Sequence, residues 1–106
     1  MPAAWLVVRA VVADPADRAA FDAWYHREHL PDAKKAFAVH SAWRAWSKTD
    51  PSIHCAFYRV DSPERLEAIS DGPEIDALVA EFDRNWNGRV TRTREVLVVA
   101  DKLGEG

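Results

Sequence analysis

Apolar residues occupy both parities of residues 5–13, WLVVRAVVA, and the run stops abruptly at Asp14-Pro15. A valine-rich run without polar alternation is the pattern of a strand covered on both faces. Asp14 can cap a following helix, Pro15 suits its first position and Asp17 its positive end, so a first helix is expected to run to about Leu30. Pro31 lacks the amide hydrogen that a helical ladder needs and disfavours helical geometry at Leu30. A kink or stop is expected there, with a further turn or two over residues 32–37.

Residues 39–48 and 53–60 are two strand-like runs separated by Thr49-Asp50-Pro51-Ser52, a cluster of turn formers, and predict an antiparallel hairpin. Ser62-Pro63-Glu64 repeats the cap-then-proline signal of a helix start. After an interruption at Asp71-Gly72-Pro73, the residues Ile75, Leu78, Val79, Phe82 and Trp86 fall at helical spacing. That second helix is expected to end at Asn87-Gly88, before a last strand over residues 89–100 and a short polar tail.

The order β, α, β, β, α, β, with no internal linker or repeat, predicts one α+β domain spanning residues 1–106. Its expected architecture is ferredoxin-like: a split βαβ antiparallel sheet with two helices on one face. The first and last strands are apolar on both parities, so the second sheet face also needs cover. A second copy of the chain is the economical cover, which makes a homodimer through the sheet face the expected partner.

Composition narrows the partners. Of the 106 residues, 48% are apolar and five are tryptophan, enough for a folded core, while a net charge of −3 leaves no overall positive field for nucleic acid or an anionic membrane. No stretch approaches the ~20 apolar residues that span a bilayer. Cys55 is the only cysteine, so no intrachain disulfide can form. With no basic flank and apolar run of a signal peptide at the start, the expected location is the cytoplasm.

The segment from Phe21 to Pro31, FDAWYHREHLP, carries the candidate chemistry. At ~100° per residue, Ala20, Phe21, Trp24 and Tyr25 form an apolar stripe, Glu28 projects from its middle and His29 lies at its edge. A carboxylate on a core-facing stripe is the group whose protonation a fold most disturbs, and an acid beside a histidine is a proton-transfer arrangement. The alternative is that Glu28 is tied into a structural network with an arginine or strand N–H groups. His26 points away from Glu28 around the helix and no second ligand cluster accompanies them, so no metal is expected. On the strands, Arg44 can hold a carboxylate or enolate and Trp43, or Trp46 on the same face as Arg44, can stack on an aromatic ligand, while His54 shares a face with Tyr58. Alternation does not say which parity faces the helices.

The pattern Phe21, Trp24, Tyr25, Glu28, His29, Leu30 and Pro31, placed after a strand and before the remaining elements, resembles the EthD-like families of the dimeric α+β barrel superfamily. The resemblance implies sheet-to-sheet dimers with a pocket between each sheet and its own helices. Members of that superfamily include muconolactone isomerases, cofactor-free oxygenases, polyketide-modifying enzymes and haem-handling proteins, so a pocket is implied rather than one reaction. The family histidine falls on His29 and the glutamate on Glu28.

These readings together predict a cofactor-independent enzyme acting by proton transfer, as an isomerase, dehydratase or lyase, on a hydrophobic cyclic or aromatic small molecule. His29 is the expected acid or base, titrating near neutral pH, with Glu28 its partner and Tyr25 a hydrogen-bond donor. Trp24, Trp43, Arg44 and His54 are the expected substrate-binding residues. A non-catalytic small-molecule-binding module and a cofactor-free oxygenase are the alternatives.

Overall fold

The computed structural model describes residues 3–70 and 72–104. Strand β1 (Ala4–Val12) follows the valine-rich run, and the Asp14 carboxylate caps the next turn by accepting from the Ala16 amide at 2.9 Å. A short 3-10 turn leads into α1 (Arg18–Trp24), a π-helical turn over Tyr25–His29 and α2 (Leu30–Phe37), one continuous helical run. Then come β2 (Ser41–Trp46), β3 (Ile53–Val60), α3 (Pro63–Ser70), α4 (Pro73–Trp86) and β4 (Val90–Val98). The expected interruption at Gly72-Pro73 divides the second helical region into α3 and α4; Asp71 lies outside the described residues.

Pro31 does not stop the first helix. Leu30 keeps helical angles, φ −64° and ψ −47°, and its amide donates to the Tyr25 carbonyl five residues back. The wider π turn lets the chain pass the proline, whose missing donor falls in the first turn of α2. The run ends at Ala38 in the left-handed region, φ 52°, where Arg65 donates to the Phe37 carbonyl at 2.7 Å.

The four strands form one antiparallel sheet in the order β2-β3-β1-β4, the ferredoxin-like α+β arrangement expected from the sequence. Alternation sorts the faces. Leu6, Ala10, Val12, His54, Ala56, Tyr58 and Val60 are buried beneath the helices, while Trp5, Phe57 and Trp43 lie on the opposite face. There the Trp43 and Phe57 rings stack at 4.0 Å, with Trp5 edge-on to Trp43 at 5.7 Å. This open face is only partly covered in the protomer: Trp43 is 47% exposed and Leu97 46%. The buried stripe of α4, Ile75, Leu78, Phe82 and Trp86, is the one its spacing predicts.

Among the described residues, no helix is long and apolar enough to cross a membrane.

Candidate functional site

The register of the sheet sets out the polar side chains that face the helices. Trp46 pairs with His54, His54 with Ala10 and Ala10 with Arg92, so these four form one row across the sheet; Arg44, Ala56, Val8 and Arg94 form the next. Alanines at the centre of both rows leave room for large rings from above. Phe21, Tyr25 and His29 fill that room, with Tyr25 centred 4.5 Å from His54 and 4.9 Å from His29.

The π turn decides which polar residue of the first helix enters. An i→i+5 turn brings residue 29, not residue 28, back above Trp24. The His29 ring accordingly stacks on Trp24 at 4.6 Å and 21°, and His29 is 7% exposed. Glu28 is rotated out to solvent. The expectation of a core-facing Glu28 is thus corrected, because a uniform 100° step does not hold across this turn.

A cavity of about 280 Å³ lies between the helices and the β1–β4 side of the sheet. His29 and Tyr58 contribute to its wall, the apolar residues Ala33, Leu78 and Phe82 line it, and Arg92 and Arg94 come from β4. Its size sits just below the range of about 300–1,000 Å³ usual for drug-sized ligands and suits a compound of one or two rings.

His29 is a neutral imidazole at pH 7. Burial, aided by the positive charge of Arg92, pulls its pKa down to about 4. The near-neutral titration expected from the sequence is therefore displaced. Its Nδ1 is buried without a hydrogen-bond partner. Arg92 lies over the Phe82 ring at 4.0 Å and pairs with Asp83 at 3.3 Å, and burial lowers its pKa too. Neither arginine of β4 is among the candidate residues of the sequence, because strand parity brings them to the cavity and the sequence does not fix which parity faces the helices.

Tyr25 lies behind His29. Burial pushes its hydroxyl up to about 12; the Tyr58 hydroxyl is near enough to offset this in part, although no hydrogen bond of good geometry joins them. Tyr58, not Tyr25, is the phenol at the cavity wall. Trp24 does not line the cavity either and holds the His29 ring from behind.

Three other predicted binding residues lie elsewhere. Trp43 is on the open sheet face, because its partner across the ladder is Phe57. Arg44 and His54 belong to a second polar cluster beside the cavity. Arg44 donates to Asp22 at 2.7 Å, the Trp46 indole donates to the same carboxylate oxygen at 2.8 Å, and Arg44 lies 3.4 Å from His54 Nε2. The Arg44 and Trp46 bonds hold Asp22 below the usual carboxylate range, while burial and then Arg44 pull fully buried His54 down to about 4. Since an arginine only donates, His54 Nε2 accepts and Nδ1 carries the hydrogen. This cluster fastens α1 to β2 and β3.

No protein-family model matches the sequence, and no curated protein matches it significantly. Solved structures match the fold. An EthD (ethyl tert-butyl ether D) family protein from Bacillus halodurans superposes with a TM-score of 0.62 at 18% identity, covering 86% of this chain and 96% of that one. A dimeric ferredoxin-like protein from an uncultured marine organism gives 0.63 at 11%, covering 97% and 100%. SnoaB, a cofactor-independent oxygenase from Streptomyces nogalater, gives 0.66 at 13%, covering 99% and 100%. At these identities the likeness establishes a ferredoxin-like fold of the kind seen in EthD-type proteins, and the function has to come from the site.

Proposed function

We propose that the cavity bounded by His29 and Arg92 is the working site, and that the protein acts there on a small cyclic or aromatic metabolite by proton transfer without a cofactor. The observation that carries this reading is a neutral, buried histidine at the wall of an apolar cavity that also holds an arginine. Nδ1 is sealed, so Nε2 is the atom left to exchange a proton with a ligand. Nε2 would take a proton from a carbon next to a carbonyl and return it to another carbon or to a leaving oxygen. Arg92 would stabilise the enolate that forms between the two steps. Trp24 fixes the ring plane of His29 as a positioning residue. The likeness to SnoaB favours a second reading, oxygenation of an electron-rich ring in the same cavity; dioxygen consumption during turnover separates the two.

A thermal-shift screen of cyclic lactones, ring ketones and quinone-like compounds tests the cavity. A ligand present at 100 times its Kd stabilises the fold by ~2.7 kcal/mol, so hits should raise the melting temperature by several degrees. Val79→Trp, which fills the cavity wall, should abolish those shifts. Shifts that survive the substitution would place binding elsewhere.

The protein is further proposed to be a cytoplasmic homodimer joined through the open sheet face. Trp5, Val7, Trp43, Phe57 and Leu97 on that face support it, as does the fold shared with a dimeric protein. Sedimentation at micromolar concentration should give twice the protomer mass, and Trp43→Glu should give the protomer. A wild-type monomer would refute the assembly.

A further inference from the structure

The cavity is chemically two-ended. One end is apolar, formed by Ala33, Phe37, Leu78 and Phe82 from the helices, and the other carries Arg92 and Arg94 from β4. The two arginines alternate on one strand, so their Cα atoms stand about 7 Å apart on the same face, close enough for both guanidinium groups to reach one small anion. Asp83 engages a single nitrogen of Arg92 and leaves other N–H donors of its fork unused. Arg94 has no ion pair or side-chain hydrogen bond among the described residues. Carboxylates gather instead on the helices, where partial burial first, and then the nearby Asp32 and Glu28, raise the Glu81 carboxyl above its usual range. An anion entering the site is therefore drawn to the strand end and repelled from the helix surface.

We propose that the ligand of this cavity is a one- or two-ring hydrophobic acid, seated with its rings against Phe82 and Leu78 and its single carboxylate or enolate oxygen group between Arg92 and Arg94. This rests on the reading of the cavity as the working site. It adds a preference for negative charge on the ligand and assigns the residues that read it. It also fits the proton chemistry: an anion that pairs with Arg92 removes one of the two influences that keep His29 from accepting a proton.

The test uses 2-naphthoate and its uncharged amide, 2-naphthamide, titrated calorimetrically into the wild-type protein at pH 7. The carboxylate should bind at least about tenfold more tightly, and added salt should erode the difference. Arg94→Gln, a change at an exposed side chain that leaves packing intact, should bring the two affinities to within about twofold. Lys48→Gln, the same charge change in the distant β2–β3 turn, should keep the wild-type preference. Equal affinities in the wild type, or a preference that survives in Arg94→Gln, would overturn the anion assignment and leave the cavity reading standing. Absence of binding by both compounds, or binding unaltered in Val79→Trp, would overturn both together.

Discussion

Lowering the pH from 6.5 to 4 is expected to remove much of this protein's stability, with about two protons taken up on unfolding. His29 and His54 are both buried and neutral, each with a pKa pulled down to about 4 chiefly by burial. In the unfolded chain both would titrate near 6.5. The unfolded state therefore binds more protons than the folded one throughout this interval. The stabilising contribution is complete above about pH 6.5 and is lost as pH falls towards 4. Each shift corresponds to a loss on the order of 3 kcal/mol at the acid end, large against a total of about 5–15 kcal/mol. Asp22, held low by Arg44 and Trp46, adds a loss of the same sign at still lower pH. Guanidinium unfolding at pH 7, 5.5 and 4.5 should show stability falling with a slope of up to ~2.7 kcal/mol per pH unit, and His54→Gln should halve it. A flat profile over that range would mean that the two imidazoles are not buried neutral.

The framework was readable from the sequence because its signals are local. The two-sided apolar strands, the Asp14-Pro15 and Pro63 helix starts, the turn at Asp50-Pro51 and the α4 stripe each depend on neighbours within a few residues. They fix the ferredoxin-like order with shifts of one or two residues at the strand ends. The π turn was not readable. It depends on how the chain accommodates Pro31 beneath a packed aromatic cluster, and sequence spacing carries no record of a five-residue turn. That one departure exchanges Glu28 for His29 at the core.

The site was legible only where a residue's own helix decides its place. His29 was singled out and lies at the cavity; Arg92, Arg94 and Tyr58 reach it through strand register and parity, which the sequence left open. The same parity sends Trp43 to the opposite face and carries Arg44 and His54 into the cluster with Asp22. Asp22 is not singled out by the sequence, because its partners are more than twenty residues away.

The central claim is that His29 moves a proton to or from a ligand held in the cavity, and deuterium exchange at carbon tests it most directly. A bicyclic ketone such as 2-tetralone, saturating the protein in D₂O, should exchange the hydrogens beside its carbonyl faster than in buffer alone, followed by proton NMR. Because the free imidazole is neutral down to about pH 4, the exchange catalysed by the wild-type protein should be level from pH 6 to 8 and decline only as His29 becomes protonated. His29→Gln should slow the catalysed exchange by ~10²-fold or more while keeping the ketone bound, and Glu28→Gln, at an exposed position, should remain within about twofold of wild type. Exchange that persists unchanged in His29→Gln, or a wild-type protein that binds the ketone and leaves its exchange at the buffer rate, would contradict the account.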